Sequence, residues 1–207
     1  GLPACVYVIP LISIRGNYSS MELDLCIKGR RSVRSYLDRP VPKEVIDGLL
    51  DAAVWAPSGM NEQPWRFTVI QDREVIESLS RKTRELVMKS MPFLEESEAA
   101  SKSERDMIFY GAPLLIFISV KKSPNPLWRV VNFLDCGLAA QNMFLFAFQE
   151  GLGSCFIGFA DHLNHVPESL AQIGIPEDHE LMAPLIFGYP KEVPEAMPRE
   201  AKVLRWI

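Results

Sequence analysis

Arg30-Arg31-Ser32-Val33-Arg34 puts three guanidinium groups and a hydroxyl into five consecutive positions. Cations this close repel one another, so an anion bound among them relieves a real cost. Guanidinium forks match phosphate oxygens in pairs, and Ser32 adds a further donor. About two dozen residues later comes Ala56-Pro57-Ser58-Gly59-Met60-Asn61-Glu62-Gln63-Pro64-Trp65. There Gly59 lets the backbone approach a ligand, while Asn61 and Gln63 each bring a donor and an acceptor. A phosphate pocket with an amide-rich loop suits a phosphorylated, planar, hydrogen-bonding cofactor. That description fits FMN, and through FMN it implies redox chemistry.

Each half alone has a plainer reading. An isolated RRSVR string also describes a solvated basic turn. Asn61 and Gln63 also suit a loop tied by its own side chains, and Trp65 reads as core packing at a strand start. No GxGxxG or GxxxxGK[ST] pattern follows a strand, which disfavours dinucleotide and P-loop sites. The Asp161-His162-Leu163-Asn164-His165 stretch lacks a third soft or imidazole ligand, and His179 stands among acidic residues. These histidines read as surface residues, and no metal is expected.

The elements that must position these residues follow from hydrophobic spacing. A first helix starts near Met21 and ends at Gly29, directly before the arginines. In an extended 30–34 segment, Arg30, Ser32 and Arg34 share one face while Val33 turns to the core. Residues 43–56 read as an amphipathic helix and 65–71 as a strand. Residues 73–110 are helical in pattern, broken at Pro92, with exposed-looking aromatics Phe93, Phe109 and Tyr110. Those three are the candidate substrate-contacting lid residues. Residues 113–120 form a buried strand by their continuous apolar run, and 121–127 a polar loop. Residues 130–150 form a helix apolar nearly all round, suited to a core or a subunit interface. Strands at 154–159 and 181–187 flank a short helix at 167–173, and a Pro-rich tail follows. This irregular alternation favours α+β or mixed α/β over a regular doubly wound sheet.

Composition limits the partners. The chain has 207 residues, 48% hydrophobic and 23% charged, with net charge −4. That is an ordinary globular balance, and the acidic total argues against a nucleic-acid partner. The scattered cysteines (Cys5, Cys26, Cys136, Cys155) have no CxxC pairing and fit a reducing, cytoplasmic setting. The apolar Cys5–Ile14 stretch is too short to span a bilayer and lacks the basic leader of a secretory signal. Residues 1–20 read as an extension, with 21–207 as the FMN-binding domain.

With Asp135-Cys136-Gly137-Leu138-Ala139-Ala140-Gln141-Asn142, Gly151-Leu152-Gly153-Ser154-Cys155 and Gly188-Tyr189-Pro190, the two opening motifs form an ordered set. That set resembles the FMN-dependent nitroreductase family from about Met21 to Arg199. The Arg30–Trp65 portion is also similar to the branch typified by iodotyrosine deiodinase. The resemblance implies an α+β fold with a mostly antiparallel central sheet, assembled as an intertwined homodimer with FMN at the subunit interface. It places Arg30, Arg31 and Ser32 at the phosphate end and Arg34 by the flavin N1/O2 edge. Pro57, Ser58 and Gly59 would reach the flavin from the partner subunit, with Asn61 at the ring and Gln63 beside it. Ile157 and Gly158 would lend backbone groups, and Arg199 with Lys202 would close the phosphate site. It further implies that NADH or NADPH reduces the flavin, which then reduces an electron-poor small molecule such as a nitroaromatic or quinone. The alternatives are a reductive dehalogenase or flavin-consuming enzyme on the same scaffold, or a non-catalytic FMN-storage module.

Overall fold

The computed structural model describes residues 22–91 and 106–207. The expected extension (with Cys5 and the apolar run before Arg15) and Phe93 lie outside the described residues. The centre is a four-stranded antiparallel sheet in the order β1-β2-β4-β3. Its strands are β1 (Arg66–Ile70), β2 (Leu114–Lys121), β3 (Gly153–Phe156) and β4 (His179–Gly188). Helices α1 (Leu23–Gly29), α2 (Lys43–Val54), α3 (Arg73–Ser90), α4 (Pro126–Gln149) and α5 (Pro167–Gln172) surround it. The fold is α+β, as the sequence implies.

β2 is apolar from Leu114 to Ile118, and both of its faces are covered. Leu114, Ile116, Ile118 and Val120 pack with α2 and α4, including Leu49, Cys136 and Met143. Leu115 and Phe117 face the other way, onto Ile76 and Leu79 of α3 and Leu163 of the 3-10 helix Gly158–His165. The register of β2 against β4 shifts between Ile118 and Ser119.

α4 starts four residues earlier than its apolar pattern suggests. Asn125 caps it by accepting from Leu127 N (3.0 Å), and Pro126 occupies the first turn, where its missing N–H costs nothing. One face of α4 carries Cys136, Ala139, Ala140, Met143 and Ala147 into the core. The other presents Leu127, Val130, Leu134 (59% exposed) and Leu138 to solvent. α4 is long and apolar enough to cross a membrane, but its inner face packs on the sheet.

β3 is shorter than expected, ending at Phe156. Ile157 N still donates to Pro184 O (2.9 Å), after which the chain coils into the 3-10 helix.

Candidate functional site

The arginine segment leaves α1 at Gly29 and runs extended along β3. Ser32 bridges Ser154 in parallel, and Val33 N donates to Ser154 O (3.0 Å). Val33 is buried as expected, and a Cβ on Gly153 would lie 2.7 Å from it, so close approach here requires glycine. Tyr36, buried, donates its hydroxyl to Val33 O (2.8 Å) and pins the segment from below.

The guanidinium groups take three different settings. Arg30 is half-buried, with its Cζ 5.9 Å from the Phe144 ring centroid. Burial, followed by the Arg199 and Arg31 charges, pulls its pKa below the usual arginine range. Crowded cations held together in this way fit a phosphate, which would screen all three. The tail thus brings the Arg199 charge near Arg30. Lys202 is exposed further along the tail, and no contact among the described residues ties it to Arg30.

Arg31 also serves a local purpose. Its guanidinium donates to the carbonyls of Lys28 (2.7 Å), Gly29 (3.1 Å) and Arg30 (2.8 Å), closing the C-terminal end of α1. Arg34 is exposed and lies over Tyr110, its Cζ 6.0 Å from the ring centroid. Under the segment sits the buried Cys155 thiol. Burial raises its pKa, while Arg34, a Ser32 hydrogen bond and Arg30 oppose that rise. Arg30, Ser32 and Arg34 therefore converge above β3, as the alternating pattern implies.

The loop at 57–63 forms a second, separate cluster. Gly59 N donates to both carboxylate oxygens of Asp135 (3.2 and 3.1 Å), a residue 5% exposed on α4. Gln63 N donates to Ser58 Oγ (3.0 Å), and the Gln63 amide donates to Asn61 Oδ1 (3.2 Å). Met60, Asn61 and Gln63 all have positive φ (52°, 58° and 47°), and all three side chains are exposed. The self-bonded loop weighed from sequence is therefore what forms, and it points its amides outward. Trp65 is buried in the core, as expected. Among the described residues no hydrogen bond or ring contact joins this loop to the arginine segment.

Two expectations need correction. Phe109 is not an exposed lid aromatic: it is fully buried and tilts against Phe117 at 6.1 Å. Tyr110, by contrast, is half-buried beside Arg34. The Ile157 N–H is committed to Pro184, and its carbonyl, which accepts from Ala160 N (3.0 Å), keeps one further lone pair to lend. Gly158 is exposed, with open space where a Cβ would project.

Motif reading missed Asp106, and it included Asp135 in a motif without giving it a role. A lone acid in the apolar run of α4 was the available signal, since a carboxylate is buried there only with a partner. A cavity of about 280 Å³ opens beside Arg34 and Tyr110, lined also by Asp106, Lys191 and Glu192. A larger one, about 630 Å³, lies against α3 and includes none of the expected site residues among its described lining. Among the described residues no cluster of three or more His, Cys, Asp or Glu could hold a metal ion.

The profile of the nitroreductase family matches residues 27–189. A Methanothermobacter thermautotrophicus protein, provisionally named NADH dehydrogenase/NAD(P)H nitroreductase, is 33% identical, covering 88% of this chain and 85% of that protein. Rat iodotyrosine deiodinase 1 is 40% identical over 68 residues, covering 33% of this chain and 22% of that protein. The solved Bacteroides fragilis nitroreductase with bound FMN superposes with a TM-score of 0.77 at 28% identity, covering 91% of this chain and all of that one. With the arginine segment seated on β3 of an antiparallel sheet and the matching profile spanning most of the chain, this protein belongs to the nitroreductase family.

Proposed function

We propose that this protein is an FMN-dependent NAD(P)H oxidoreductase that acts as a homodimer in the cytoplasm and reduces an electron-poor small molecule. The observation that carries the reading is the crowding of Arg199 and Arg31 on the half-buried Arg30 above β3. Arg30, Arg31, Ser32 and Arg199, with Lys202 further along the tail, hold the phosphate end. Bound FMN supplies a two-electron carrier between a reduced nicotinamide and the acceptor. Arg34 meets the negative charge that reduction leaves at the N1/O2 edge, an electrostatic role that needs no proton transfer. Pro57, Ser58, Gly59 and Asn61 reach the ring from the partner subunit, with Gln63 bracing Asn61. No side chain acts as a nucleophile.

The homodimer is supported by the exposed apolar stripe on α4, by Trp55 (73% exposed) and by the exposed tail residues Leu204, Trp206 and Ile207. Together they offer the apolar area that a permanent interface covers. The cytoplasmic assignment is supported by the free thiols of Cys26, Cys136 and Cys155.

The partial likeness to the deiodinase favours a second reading, reductive dehalogenation at the same site. Steady-state oxidation of NADH and NADPH is the test, with menadione, a nitroaromatic or a halogenated phenol as acceptor. Turnover with the first two supports the proposal, and turnover confined to the halophenol supports the second reading. FMN-loaded protein that reduces none of them is instead a binding or storage module.

A further inference from the structure

Tyr110 has a backbone φ of +56°, a region that bulky side chains rarely enter, and Gly111 follows at +69°. Asp106 holds this turn. Its carboxylate accepts from Ile108 N (2.9 Å), Phe109 N (3.0 Å), Gly111 N (3.3 Å) and the Ser80 hydroxyl of α3. Phe109 is locked into the core against Phe117. The turn is therefore fixed from both sides, and the side chain it aims outward is the Tyr110 ring. Burial raises the pKa of the phenol; the Arg34 charge is the largest influence opposing that rise, and a side-chain hydrogen bond with Arg34 opposes it as well. Strain of this kind persists where the surroundings over-determine it, commonly to place a functional group.

We propose that Tyr110 is a positioning residue whose ring face holds the Arg34 guanidinium toward the flavin N1/O2 edge and thereby helps set the potential of bound FMN. The inference rests on the FMN reading of Arg34 given above. Stacking occupies the face of a guanidinium and leaves its in-plane N–H donors available. A carboxylate partner would take those donors and cancel the charge. Among the described residues Arg34 forms no ion pair; it meets Tyr110 both at the ring and through a side-chain hydrogen bond to the phenol, which leaves most of its five N–H donors available. A substrate-contacting role would require no coupling between Tyr110 and Arg34, so the two roles separate experimentally.

The experiment measures the two-electron potential of bound FMN, and its affinity when oxidised, in Tyr110→Gly, Tyr110→Phe, Arg34→Ala and the Tyr110→Gly/Arg34→Ala double variant. Glycine removes the ring while relieving the positive φ, so folding is not penalised. Tyr110→Gly should lower the affinity for reduced relative to oxidised FMN about two- to fivefold, the factor expected of a partly exposed cation–π contact, or roughly 9–21 mV. Tyr110→Phe, which keeps the ring and loses the phenol hydrogen bond, should fall between the wild type and Tyr110→Gly, and Tyr110→Gly should change nothing further once Arg34 is alanine. A wild-type potential in FMN-loaded Tyr110→Gly overturns the proposal alone. So does an undiminished effect of Tyr110→Gly in the Arg34→Ala background. A wild-type protein that binds no FMN overturns the underlying reading as well.

Discussion

Replacing Gly59 by alanine tests whether the 57–63 loop is seated on α4 by close backbone approach. A Cβ there would lie 2.8 Å from Val131 Cγ1, while Trp128 and Asp135 stay at ordinary contact, 3.8 and 3.9 Å. Val131 is β-branched and stiff about χ1 on a helix, so it cannot swing clear. The loop must shift instead, drawing the Gly59 N–H off the Asp135 carboxylate. Overpacking of this kind costs about 1–3 kcal/mol. At roughly 2–4 °C per kcal/mol for a domain of this size, Tm falls by about 2–12 °C. Val131→Ala alone removes two half-buried methyl groups and costs about 1 kcal/mol. With those methyls gone, Gly59→Ala should cost less than about 0.5 kcal/mol, giving a coupling of about 1–2 kcal/mol. Thermal melts of the four proteins that complete the cycle supply the numbers. An equal cost for Gly59→Ala in both backgrounds would refute the steric argument.

Arg30→Ala should weaken FMN retention more than it slows flavin reduction, and Arg34→Ala should do the reverse; dissociation constants and stopped-flow rates separate the two roles. Leu134→Glu puts a charge on the exposed apolar stripe of α4 and should shift the protein toward monomer in sedimentation, with loss of bound FMN. An unchanged dimer would move the interface elsewhere. Burial pushes the Cys136 thiol up to about 12 from its ordinary 9.0. The folded protein therefore keeps the proton that the unfolded chain gives up above pH 9, and stability is lost as pH rises from there toward 12. Cys136→Ala should flatten urea stability across that window, and a slope equal to that of the wild type would contradict the assignment.

What the sequence revealed was whatever local spacing encodes. Val33 between Ser32 and Arg34 announced an extended segment with one buried side chain, and the unbroken apolar run of β2 announced a strand covered on both faces. The start of α4 was misplaced because the Asn125 cap and Pro126 count for more there than apolar periodicity. Phe109 was misjudged because its role depends on Asp106, which gathers three N–H groups of its own turn and a hydroxyl from α3. The site itself was half legible. Its cations were evident from residue type, but the convergence of Arg199 on Arg30 depends on how the tail folds back. Asp135 was visible as an acid in an apolar helix, yet its partner lies 76 positions away in sequence. Tertiary pairings of that kind leave no local pattern.

The central claim is that this chain holds FMN and passes electrons from a nicotinamide through it. Anaerobic stopped-flow mixing of the purified, FMN-reconstituted protein with NADH and with NADPH tests it most directly, by following the visible band of the flavin. The account predicts a yellow protein that releases FMN on denaturation and is bleached rapidly by at least one nicotinamide, with Arg34→Ala markedly slower. A protein that cannot be loaded with FMN, or a bound flavin that neither nicotinamide reduces, would contradict it.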